Sequence, residues 1–237
     1  MILTIAKREL SSLFFSPIAY VVLGGFAIGS SIFFINDLKP GQPATMRGTF
    51  ELIVWLLIFL APAVSMRLIS EELRSGTFER LMTSPVNDTQ VVLGKWLGAL
   101  GFFAVLLLPI FGQVVVLELV AAPEWGPIVT GLLGLLLVGA MYLAIGVFAS
   151  AWTQNQIIAF LVTVFIIAVP TFAAFFLAGA TTITPGLRRL VEYISVNNQY
   201  ADFAKGLIDV RNFVYFLSVT ALFLFLAVKL VESRRWR

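Results

Sequence analysis

WGPIVTGLLGLLLVGAMYLAIGVFASAWTQNQIIAFLVTVFIIAVPTFAAFFLAGATTITPGL, residues 125–187, contains no Asp, Glu, Lys or Arg. A helix of about 20 apolar residues crosses the hydrocarbon core of a bilayer. The stretch is long enough for two such crossings, and Thr153-Gln154-Asn155-Gln156 supplies a polar turn between them. It predicts one span over about 128–150 and a second over about 157–179. The apolar residues run continuously rather than alternating, which reads as helix and not as a transmembrane barrel strand.

The same pattern recurs on both sides. Upstream it predicts spans over 17–35, over 50–66, and between Lys95 and Glu118; downstream it predicts one between Arg211 and Lys229. Composition agrees. The chain is 59% hydrophobic with a mean hydropathy of +0.97, and 12% of its residues are charged, against roughly 25% in an ordinary soluble domain. So much apolar surface must face lipid or other buried helices. The expected fold is an all-α integral membrane protein with six transmembrane helices, one domain over 1–237.

Six spans put both termini on one side. With the termini inside, Lys7, Arg8, Arg67, Arg74, Arg80, Lys95, Lys229, Arg234, Arg235 and Arg237 are inner, and Lys39, Arg47, Arg188, Arg189, Lys205 and Arg211 are outer. The positive-inside rule therefore predicts cytoplasmic termini. Lys7, Arg8 and Glu9 precede an apolar run too long for the core of a cleavable signal peptide. Residues 1–16 are expected to form an amphipathic helix in the membrane interface, with Leu3, Ala6, Leu10, Leu13 and Phe14 on its apolar face.

Several function classes drop out. There is no Cys and no His, which removes thiol chemistry, imidazole acid–base catalysis and most zinc sites. The basic residues, despite a pI near 9.4, are scattered around spans rather than gathered on one face, so nucleic acid is not an expected partner. Gly94-Lys95 lacks the rest of a phosphate-binding loop. The span interiors are expected to hold no ionisable residue, which disfavours ion coupling and intramembrane proteolysis. No catalytic, cofactor or metal site is expected in this chain. Pro62, Pro109 and Pro170 fall inside spans, where proline removes a backbone donor and tends to kink the helix. Gly25 and Gly29 form a small-xxx-small pair in the first span, suited to close helix packing.

Two connections are too long for simple turns, 67–90 on the inside and 180–211 on the outside. In the inner one, Ser70 can cap a short helix with Glu71 and Glu72 in its first turn. Gly76 bends or ends it; Phe78, Leu81 and Met82 make an apolar ridge, and Pro85 stops the element.

The stretch Glu71-Glu72-Leu73-Arg74-Ser75-Gly76-Thr77-Phe78-Glu79-Arg80-Leu81-Met82-Thr83-Ser84-Pro85-Val86 resembles the signature after the second span of type-2 ABC transporter permeases. Lys7-Arg8-Glu9-Leu10 followed by Phe15-Ser16-Pro17 is similar to the start of the same family. Gln199 to Arg211 is similar to the segment before the family's last span. Within the family, the likeness is greatest to permeases associated with bacterial gliding motility, although Ala201 stands where those commonly carry His.

The resemblance implies a half-transporter of the bacterial inner membrane, an exporter. Two permease chains, identical or related, would pair in the bilayer and each would dock a cytoplasmic ABC ATPase carrying ATP and Mg. The inner loop would be the coupling helix, its ATPase contacts drawn from Glu71, Glu72, Arg74, Gly76, Thr77, Phe78, Glu79, Leu81 and Pro85. Lys7, Arg8 and Glu9 would lie on the interfacial helix. Tyr200, Phe203, Gly206 and Asp209 would lie in short external helices gating the pathway before span 6. The gliding-type likeness would add an auxiliary membrane or periplasmic subunit. It also leaves open a second reading, a scaffold or assembly subunit of a motility or envelope complex that moves no solute.

Overall fold

The computed structural model describes the chain apart from residues 39–44, 78–85, 121, 179–183 and 235–237. Among the described residues every regular element is helical: α1 (Ile2–Phe14), α2 (Pro17–Asp37), α3 (Arg47–Ser65), α4 (Ser70–Ser75), α5 (Asp88–Leu106), α6 (Leu108–Val120), α7 (Trp125–Trp152), α8 (Gln156–Ala178), α9 (Pro185–Ile194), α10 (Val196–Ala204) and α11 (Val210–Arg234). Six stretches are long and apolar enough to cross a membrane: α2, α3 running on into α4, α5 with α6, α7, α8 and α11. The protein is a multi-pass membrane protein.

Local chemistry sets several boundaries. Pro17 opens α2, where its missing N–H is not needed. The backbone N–H of Asn87 donates to Gln90 Oε1 at 3.4 Å at the start of α5. Residues 153–155 separate α7 from α8, and Asn155 Oδ1 accepts from the N–H of Ile157 at 2.9 Å. Pro62 and Pro170 lie inside α3 and α8. Pro109 differs: the helix breaks at Leu107 and restarts as α6, with Pro109 in its first turn.

The core runs along α7. Its apolar window is 67% buried, against 28% for α2 and for α8. Small residues let neighbours approach α7 closely. A Cβ on Gly139 would overlap the Phe103 ring of α5, and one on Gly134 would come within 2.8 Å of Tyr200 and Phe203. The Trp96 indole N–H donates to the Ala140 carbonyl at 3.0 Å, a further tie between α5 and α7.

Side-chain bonds fix which ends meet. At one end Arg67 reaches the Ser12 carbonyl at 3.4 Å. There too Arg234 donates to the carbonyls of Ala151 and Trp152, at 3.2 and 2.8 Å, closing the last turn of α7. At the other end Thr49 bonds Asp37 at 2.8 Å and Thr130 bonds the Phe203 carbonyl at 2.7 Å. The described ends of the chain thus lie on one side of the bundle.

Some packing differs from the sequence expectation. The helix of the third crossing starts at Asp88, so Lys95 lies within it and is 1% exposed. On α1, Leu13 is buried and Ala6, Leu10 and Phe14 are half-buried, as expected, but Glu9 is buried beside them while Leu3 is 77% exposed. Within this chain the pair Gly25 and Gly29 does not pack as a unit: nothing lies within 4 Å of a Cβ placed on Gly25, and Gly29 meets Leu56.

These packings predict opposite outcomes for two glycines. Gly139→Ala forces the Phe103 ring aside and should lower stability by about 1–3 kcal/mol, the usual cost of overpacking. Gly25→Ala meets open space and should leave stability equal or slightly higher, through helix propensity. Thermal unfolding of the two purified variants in one detergent checks both.

Candidate functional site

The inner loop of the sequence begins where α3 ends. The turn after Ser65 exposes backbone donors that must be satisfied. Ser150, near the end of α7, satisfies two of them: its hydroxyl oxygen accepts from the N–H groups of Ile69 and Ser70, both at 2.9 Å, and donates to the Met66 carbonyl at 3.1 Å. Ser70 does not cap α4 as its position suggested. It is the first helical residue, and its hydroxyl donates back to the Met66 carbonyl at 2.5 Å. Glu71 and Glu72 occupy the first turn of α4, where the helix dipole favours acids. Gly76 ends the helix in the left-handed conformation, φ +68°, which glycine adopts freely.

Helix α1 is clamped beside this element by α5. A Cβ on Gly94 would come within 2.7 Å of Ile5, and one on Gly98 within 2.7 Å of Glu9 and 2.8 Å of the Ala6 carbonyl. The two glycines, one turn apart, form a groove that takes the backbone of α1. Lys95 lies between them in sequence. Its Nζ is 3.0 Å from Glu9 Oε2 and 2.9 Å from Glu72 Oε1, and Arg8 Nη2 meets the same Glu72 oxygen at 3.3 Å. The side chains of Lys95, Glu9 and Glu72 are 1%, 11% and 21% exposed. Four charges of balanced sign thus join α1, α4 and α5.

The cluster forms the floor of a cleft of about 840 Å³ between α1 and α4. Arg67, Glu71, Ser12 and Phe15 line its walls. Phe15, at the elbow between α1 and α2, is 89% exposed. Glu72 Oε2 is buried without a hydrogen-bond partner. The arrangement holds charges in place and carries no nucleophile–base pair.

The residues singled out from the sequence divide into two groups. Arg8, Glu9 and Glu72 meet at the cluster; Glu71 lines the cleft, and Lys7 and Arg74 are exposed. Thr77 shares a hydrogen bond of 2.8 Å with Ser75. Phe78, Glu79, Leu81 and Pro85 lie outside the described residues. The second group sits at the opposite end of α7. The Tyr200 hydroxyl donates to the Gly131 carbonyl at 3.1 Å. Burial first, and Glu51 second, push its pKa well above the ordinary tyrosine value, so it remains a donor. Phe203 is fully buried. Gly206, φ +88°, closes α10: its N–H reaches the Phe203 carbonyl and that of Leu207 reaches Asp202, the crossed pair of a Schellman cap. Asp209 Oδ1 accepts from the Arg211 N–H at 2.8 Å at the start of α11.

Sequence reasoning missed Lys95, Ser150 and Arg67 as partners of this site. The pair Gly94 and Gly98 flanking a lysine was the available signal for the first.

Removing one partner from a buried ion pair costs about 3–5 kcal/mol, whereas neutralising the whole set costs far less. Lys95→Met should therefore lower the unfolding temperature sharply and expose α1 to limited proteolysis. The triple variant Lys95→Met, Glu9→Gln, Glu72→Gln should recover most of the loss. A single variant as stable and protease-resistant as the parent would show that the cluster holds nothing together.

A profile described as ABC-2 family transporter protein matches residues 8–233. Comparison with curated proteins gives no match. The matched region takes in the six apolar crossings, the ionic cleft at one end of α7 and the packed short helices at the other, and the chain belongs to the ABC-2 family of transporter proteins.

Proposed function

We propose that this chain is the membrane-spanning permease subunit of an ATP-driven exporter in a bacterial cytoplasmic membrane, with both termini in the cytoplasm. A separate ABC ATPase dimer binds ATP and Mg, and a second permease chain completes the pathway. The carrying observation is the ionic cluster: Lys95 of α5 holds Glu72 of α4 and Glu9 of α1 at 2.9 and 3.0 Å. A push on α4 therefore reaches a membrane-crossing helix through charge pairs that cannot part without exposing a buried ammonium. In this reading α4 and the residues after it are the coupling element, and α1 lies in the membrane interface as its brace. Tyr200, Phe203, Gly206 and Asp209 position the short outer helices α9 and α10 over the pathway.

Orientation rests on charge. The end carrying the cleft holds the larger share of Lys and Arg, and the positive-inside rule puts that end in the cytoplasm. Labels near Gly76 should be reachable only from the cytoplasm, and labels near Asn198 only from outside. Exterior labelling at Gly76 would invert the proposal.

Phe78 supplies the apolar anchor of the coupling element in this reading. Interface energy concentrates in a few buried aromatic residues, and truncating one costs about 2 kcal/mol, some thirtyfold in affinity. Phe78→Ala should weaken co-purification of the ATPase by that order while membrane insertion is unchanged. If no ATPase co-purifies with the parent chain from its native membrane, the scaffold reading takes its place.

A further inference from the structure

Gln113 sits on α6 with its side chain buried, 6% exposed. Its Nε2 donates to Ser30 Oγ at 2.9 Å and lies 3.4 Å from Ser31 Oγ, both on α2. Its Oε1 is buried and has no hydrogen-bond partner. Exchanging the amide oxygen and nitrogen does not repair this. The oxygen would then accept from the serine hydroxyls, and the two N–H donors would face the same empty side. Either way one face of the amide lacks a partner in surroundings that offer no bulk water.

The depth of the group makes this costly. Ser30 lies seven residues from the Asp37 end of α2, and Gln113 seven residues from the Val120 end of α6. At 1.5 Å per residue each is about 10 Å inside its helix end. The surroundings are apolar and exposed: Ile28, Ile32 and Ile35 on α2, and Phe111, Val115 and Val116 on α6, are all exposed. Ser31 is only half-buried, and nothing lies within 4 Å of a Cβ placed on Gly112. The buried amide thus sits next to an apolar surface exposed on both helices, with Ser31 at its edge.

We infer that Ser30, Ser31 and Gln113 form a binding notch for the hydroxyl group of an amphiphile that enters from the bilayer between α2 and α6. A hydroxyl both donates and accepts, so it completes the amide in either orientation. The acyl or ring body of such a molecule would lie on the isoleucine and valine faces just outside. Charged headgroups are excluded, because none of the lining residues carries a charge. The site stands apart from the inner cleft and does not depend on the coupling role proposed there.

The test uses the whole chain in phosphatidylcholine vesicles. These hold a diazirine-bearing diacylglycerol with a free hydroxyl, or the same probe acetylated at that hydroxyl. After illumination, mass spectrometry maps labelled peptides of α2 and α6. The free hydroxyl should label them about fivefold more strongly, the fold-change of one net hydrogen bond, and Gln113→Leu should bring the ratio to one. Labelling that survives prior detergent exchange marks a resident lipid, and labelling lost on exchange marks a passing one; both carry the same hydroxyl. Equal labelling by the two probes overturns the inference and assigns the amide's missing partner to water. That comparison on the parent chain decides the matter even if Gln113→Leu does not fold.

Discussion

An ammonium group 1% exposed cannot stay charged in a protein interior without partners, because desolvation disfavours it by several kcal/mol. Lys95 finds its partners on two elements distant in sequence, Glu9 on α1 and Glu72 on α4. Each carboxylate has little freedom, since α1 is pressed into the groove of Gly94 and Gly98 and the start of α4 hangs from Ser150. The geometry of the cleft end follows. Move α4, and Glu72 must leave Lys95 or carry α5 with it. Arg8 adds a second cation to the same Glu72 oxygen, but at 58% exposure it is screened by solvent and contributes less. The apolar packing around α7 is larger in area, yet it is tolerant of small slides; an ion pair that buries an ammonium is less so.

Helix α7 relates the two ends. Near its start, the Gly131 carbonyl and the Thr130 hydroxyl receive and reach Tyr200 and the Phe203 carbonyl. Near its end, Ser150 holds the turn into α4, and Arg234 caps the final carbonyls where a cation also opposes the negative end of the helix dipole. One mostly buried helix therefore carries the anchor points of both the ionic cleft and the short helices at the opposite end. Helix α4 is thus tied to α7 through Ser150 and to α5 through Lys95.

How much of this was legible differs by residue. The six crossings were plain, since a charge-free run such as 125–187 has few alternatives, and the polar residues at 153–156 placed the turn. The burial of Lys95 was not. A lysine in an apolar run ordinarily marks an exposed boundary, and only the acids on α1 and α4 make burial tolerable; those partners are 86 and 23 positions away in the chain. For α1 the face was legible except at Leu3 and Glu9, because Glu9 scores as polar while its pairing turns it inward. Ser70 has the composition of a helix cap, but Ser150 satisfies the donors instead, and no local pattern announces a partner from another helix. Tyr200, Phe203, Gly206 and Asp209 were found through family likeness; the residues they meet, Gly131 and Thr130 among them, became visible only when α10 was seen packed on α7.

The polar residues within the crossings show what distinguishes Gln113. Ser65, Thr163, Thr171 and Thr220 are buried, and each hydroxyl donates to the carbonyl four residues earlier in its own helix, at 2.7–2.8 Å. A short hydroxyl can fold back this way and hide its polarity in the backbone, so such residues need no partner from outside. The amide of Gln113 reaches across to α2 instead, with donors and an acceptor on opposite faces. The break at Leu107, with Pro109 just beyond it, lets α6 depart from the line of α5. The amide therefore meets α2 rather than the packed core around α7, in a bundle whose other buried polar side chains are largely satisfied.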